Sequence, residues 1–110
     1  MQGPFRLDQN TVESKAKSRP GVYILGNNIH GTFVAKLTGK TSSDLNAALK
    51  KATGRFDSFY YEHAKDPGDA YQKECMYYHS YTDKGFRLEN DGHPERPEGY
   101  DDIRCLQCGK

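Results

Sequence analysis

A chain of 110 residues with 35% apolar and 28% charged side chains has room for one modest domain and little aliphatic material to build its core. Sixteen Lys and Arg against fifteen Asp and Glu leave a net charge of +1, so no strong overall field marks nucleic acid or membrane as a partner. No apolar run is long enough to cross a bilayer, and the first residues lack the apolar stretch of a signal peptide, so a cytoplasmic location is expected.

Residues 1–19 read as a polar lead-in with a short strand or turn around Phe5 and Leu7. Arg19-Pro20-Gly21 breaks the chain, and Val22-Tyr23-Ile24-Leu25 follows as a β-type run. Gly26-Asn27-Asn28 supplies turn chemistry before a second strand, Thr32 to Thr38, so an antiparallel hairpin is predicted. Thr41-Ser42-Ser43-Asp44 offers N-caps for a helix to about Ala52, with Leu45, Ala48, Leu49 and Ala52 at helical spacing and Gly54 past its end. Phe56 to Tyr61 reads as a third strand. Asp66-Pro67-Gly68-Asp69 then starts a helix from about Ala70 to Tyr81, and the remainder, with Gly92, Pro94, Pro97 and Gly99, reads as irregular. The order implies a single α+β domain with an antiparallel sheet of about three strands and flanking helices, a core over 19–81 and a tail over 82–110.

Eight Tyr and five Phe must replace missing aliphatics, and a metal crosslink is a second way to stabilise so polar a domain. Three cysteines in a reducing compartment do not suggest a disulfide framework. Cys75 and His79 stand one turn apart on the second predicted helix, and Cys105-Leu106-Gln107-Cys108-Gly109 is a two-residue knuckle with a Gly behind it. Together they give C-x3-H with C-x2-C, a closed set suited to structural zinc, with His93 as the alternative fourth ligand. The tail has too few apolar residues to order itself, and a metal clip to the helix would offset that ordering entropy. Lys36, Lys40, Lys50, Lys51 and Arg55, beside Tyr23, Phe56, Phe59 and Tyr60, form a candidate basic and aromatic face for DNA or RNA. A protein partner is the other expectation. Oligomeric state has no signature in the sequence.

Gly21-Val22-Tyr23, a second strand ending Leu37-Thr38-Gly39, and the helix entered through Lys40-Thr41-Ser42-Ser43-Asp44 resemble the GIY-YIG endonuclease family over about Arg19 to Tyr81. The resemblance implies that Tyr23 matches the first family tyrosine and Glu74 the metal-binding glutamate. Leu37 replaces the second tyrosine, and the family's helical arginine falls near Ala47 or Ala48, where none stands. On this resemblance the chain is expected to be a non-catalytic, zinc-stabilised module that binds nucleic acid or a protein. The alternative is a divergent endonuclease using Tyr23 and Glu74 with Mg2+ or Mn2+. The first expectation is preferred because phosphodiester cleavage without the tyrosine and the arginine loses groups that activate water and neutralise charge.

Overall fold

The computed structural model describes residues 1–109, and the predicted α+β class holds with one strand and one helix more than the sequence reading supplied. Strands β1 (Gln2–Arg6), β2 (Gly21–Ile29), β3 (Thr32–Thr41) and β4 (Ser58–His63) form one sheet in the order β1-β4-β2-β3, each neighbouring pair antiparallel. Helices α1 (Gln9–Lys15), α2 (Leu45–Ala52) and α3 (Pro67–Asp83) complete the described elements.

The lead-in takes the strand alternative around Phe5 and adds a helix that the sequence reading did not include. Phe5 pairs in register with Phe59, and their rings sit 5.8 Å apart, so a segment poor in apolar residues still takes its place as an edge strand. Asp8 then caps α1, accepting from the Thr11 N–H at 2.8 Å, and the helix is held by Val12, which is fully buried. One buried residue gives no periodicity to read.

The predicted turn at Gly26-Asn27-Asn28 is instead the end of β2. Asn28 donates its N–H to the Asp57 carboxylate at 2.8 Å, and Asn27 accepts from the Asp57 N–H at 3.2 Å, so both asparagines have strand-compatible partners across the sheet. The hairpin turns at His30-Gly31, where φ is +52° and +81°. Gly26 marks a bulge; a Cβ there would lie 2.2 Å from the Val34 carbonyl oxygen.

Alternation along β2 assigns its faces. Tyr23 and Leu25 join Leu45, Leu49, Ala52, Phe59 and Tyr61 on the side covered by α1 and α2. Val22 packs on Ala64, Ala70 and Tyr77 under α3. Helix α3 begins at Pro67, earlier than the sequence suggests, because Asp66 is its N-cap and Pro is suited to the first turn. A third cluster joins Tyr71 and Cys75 of α3 to Cys105, with Ile103 beside them, and attaches the tail to the domain.

Candidate metal centre and basic groove

The ligand atoms of His79, His93, Cys105 and Cys108 all lie within 4.8 Å of one another, a His2Cys2 group that could hold a metal ion. Three of these match the set read from the sequence, and His93 stands in the place expected for Cys75. Cys75 is one turn deeper, buried among Tyr71 and Cys105, and lies outside the group. Helical spacing puts Cys75 and His79 one turn apart on α3, where Cys105 packs against Cys75 and the four ligand atoms gather at His79.

Each ligand is prepared locally. His79 Nε2 is sealed from solvent and has no hydrogen-bond partner, a costly state for a ring nitrogen unless a metal occupies its lone pair. His93 Nδ1 lies 2.9 Å from the Pro94 carbonyl oxygen; a proton there donates to that oxygen and leaves Nε2 as the lone pair, 3.3 Å from Cys108 Sγ. The two imidazoles are 5.1 Å apart, with the Tyr78 ring edge-on to both. At the knuckle, the Gly109 N–H donates to the Cys105 carbonyl at 2.8 Å, closing a turn that needs the φ of +77° at Gly109.

The thiols are differentiated. Burial would raise Cys105, but the Gln107 N–H, His93, the Cys108 N–H and the Cys75 thiol outweigh it and bring it down to about 6. Burial pushes Cys75 up to about 12, with its hydrogen bond to Cys105 acting in the same direction. Cys108 is exposed.

Asn90 brings His93 to this place. Its amide oxygen accepts from the Thr38 N–H at 3.0 Å, and its amide nitrogen donates to the Thr38 carbonyl at 2.8 Å and to Thr38 Oγ1 at 3.1 Å. The Glu89 N–H also donates to the Lys36 carbonyl at 2.6 Å. The outer edge of β3 is thus closed by a strap rather than a strand. Nothing in the sequence around Asn90 advertises this role.

Glu74 lies beneath the strap, 4% exposed, accepting from Thr38 Oγ1 at 3.1 Å and paired with Lys40 Nζ at 3.6 Å. Burial raises its carboxyl despite Lys40 and Thr38. The cavity beside it, about 340 Å³, is lined by Lys40, Asp91, His93 and Glu95 among others.

Tyr23 is on the opposite face of the sheet. Its ring crosses Gly39, where a Cβ would come within 2.3 Å of Tyr23 Cζ, and it lines a cavity of about 430 Å³ with Leu37, Ala48, Lys51 and Arg55. Burial and the Glu74 charge raise its phenol, while Arg55 lowers it. A second concavity of about 500 Å³ shares Ala48 and Lys51 with the first and adds Lys40, Thr41, Ser43 and Asp44. The two adjoin along α2, where Ala47, Ala48 and Ala52 present small side chains, and together they are the α2 groove.

Of the five cations named from the sequence, Lys51 and Arg55 line the Tyr23 cavity, while Lys40 borders the neighbouring concavity and turns its ammonium to Glu74 on the other face. Lys50 turns away to an ion pair with Glu13, and Lys36 is not among the lining residues. Arg55 lies just past the helix end in sequence, yet it supplies the guanidinium beside Tyr23 that Ala47 and Ala48 do not. Tyr23 and Glu74 line separate cavities.

No described helix is long and apolar enough to cross a membrane. A scan against protein-family models, a search of curated proteins and a search of solved structures each return no match for this chain.

Proposed function

We propose that the chain is a zinc-stabilised, non-catalytic GIY-YIG-like module that binds the phosphodiester backbone of nucleic acid along the α2 groove. The observation that carries the binding role is the Tyr23 cavity, in which Lys51 and Arg55 stand with the Tyr23 ring beside Ala48 and Ala52. The His2Cys2 donor set favours zinc, a tetrahedral ion with no redox demand, and four protein ligands leave no position for a reactive water. His79, His93, Cys105 and Cys108 would hold it, and its work is to clip the tail to α3.

Against catalysis stand the carboxylate of Glu74, engaged by Thr38 and Lys40, and its separation from Tyr23 across the sheet. The nuclease reading draws support from Arg55, which sits with Tyr23 in one cavity.

Gel-shift titration of zinc-loaded protein with labelled single- and double-stranded DNA and RNA tests the assignment. Two phosphate contacts to a single strand, from Lys51 and Arg55, predict a log–log salt slope of about −1.4. Lys51→Glu with Arg55→Glu should abolish retention, while Lys50→Gln, which faces Glu13, should not. No salt-dependent retention on any of these would shift the reading to a protein partner. Cleavage with Mg2+ or Mn2+ that disappears in Glu74→Ala would establish the nuclease instead.

A further inference from the structure

The two cysteines of the metal group differ sharply in their surroundings. Cys105 is 1% exposed and packed among Tyr71, Cys75 and Ile103, which shield its sulfur from a reagent in solvent. Cys108 is exposed, at the outer side of the group, with His93 Nε2 at 3.3 Å. An oxidant arriving from solvent therefore meets Cys108 first, with the Cys105 sulfur within 4.8 Å behind it.

We infer that the metal centre is a peroxide-sensitive latch in which Cys108 is the oxidation site and Cys105 the resolving thiolate. The inference rests on metal occupancy of the His2Cys2 group. In the first step the Cys108 thiolate attacks one peroxide oxygen, the O–O bond breaks, and sulfenic acid and hydroxide form. The Cys105 thiolate then attacks the sulfenic sulfur, forming the Cys105–Cys108 disulfide and releasing a second hydroxide. Two sulfurs are oxidised by two electrons in total, both peroxide oxygens are reduced, and the zinc leaves as Zn2+ without changing its oxidation state.

The consequence reaches the sheet. His93 lies three residues beyond Asn90, so losing the metal removes one of the strap's two anchors and leaves its hydrogen bonds to Thr38 and Lys36 to hold it alone. The cover over the β3 edge and the Glu74–Lys40 pair then opens more often. Cys75 keeps its thiol throughout, being outside the ligand group and fully buried.

The experiment starts with protein carrying one zinc per chain by elemental analysis; protein purified without stoichiometric metal would refute the metal reading itself, before any oxidation. Hydrogen peroxide is then added in steps, with released zinc followed by a chromogenic chelator and thiols mapped by mass spectrometry. Expected are one zinc released per disulfide formed, a Cys105–Cys108 linkage, Cys75 still alkylated after unfolding, and faster hydrogen exchange at the Thr38 amide. A thiol reductant with added zinc should reverse the release, the linkage and the faster exchange, and Cys75→Ala should behave in the same way. Zinc retained through excess peroxide, release only with sulfinic or sulfonic acid, or a disulfide that includes Cys75 would overturn the latch.

Discussion

Replacing Asn90 by alanine isolates the strap without touching a metal ligand. Three hydrogen bonds to Thr38 disappear, from its N–H, to its carbonyl and to its hydroxyl. A net 0.5–1 kcal/mol for each part-buried bond gives a loss of about 2 kcal/mol. For a domain of this size that corresponds to a fall in Tm of about 10 °C. Urea unfolding of zinc-loaded protein should show the midpoint moving with little change in m, and hydrogen exchange should show the Thr38 amide losing protection ahead of the rest of β3. Asn90→Asp keeps an acceptor for the Thr38 N–H but sets a carboxylate oxygen against the Thr38 carbonyl, so it should lose at least as much as the alanine variant. An Asn90→Ala protein within about 0.5 kcal/mol of the parent, with Thr38 still protected, would refute the strap as the closure of that edge.

The metal group and the sheet yield further expected outcomes. His93→Ala should lower bound zinc well below one per chain, whereas Cys75→Ala should keep full stoichiometry; elemental analysis of both distinguishes the His2Cys2 set from one built on Cys75. Gly39→Ala places a methyl group into the Tyr23 ring, so it should destabilise by about 1–3 kcal/mol in the parent and by much less with Tyr23→Ala, measured as a double-mutant cycle in urea. His63 is held below its ordinary pKa by burial and by the Arg19 charge, and its Nε2 accepts the Lys17 N–H at 3.0 Å, a bond for the neutral ring. A depressed histidine binds fewer protons folded than unfolded, so its contribution is full above about pH 6.5 and is lost as pH falls through the lower folded value. Thermal scans across that window should be steeper for the parent than for His63→Gln.

The parts of the fold that could be read from the sequence are those with local signals. Asp44 and Asp66 cap their helices as such residues do, Leu45 and Leu49 mark the buried side of α2, and the β2–β3 hairpin follows from its two β-rich runs. The parts that could not be read depend on partners far along the chain. Phe5 is a strand residue because Phe59 awaits it, and Asn27 and Asn28 extend β2 because Asp57 lies opposite. For the metal group, residue type and spacing identify three members. His93 rather than Cys75 stands in the group that could hold a metal, and its place follows from where Asn90 docks, a contact between positions 52 residues apart with no motif of its own. Arg55 shows the same limit: its charge is visible in the sequence, but its place beside Tyr23 depends on the chain turning at Gly54, where φ is +89°.

The strand order carries a consequence for how the chain assembles. Strands β2 and β3 are joined by a tight turn and need little loop closure, and β4 adds to β2 after the short α2 excursion. Strand β1 comes last in space although it is first in sequence, since Phe5 must find Phe59 before the outer edge can form. The strap, for its part, reaches Thr38 only after α3 has folded back over the sheet. Both rims are therefore long-range closures around a local centre, and closure entropy places them late in folding and first to open. The two ends of the chain act as fasteners on a hairpin that forms without them.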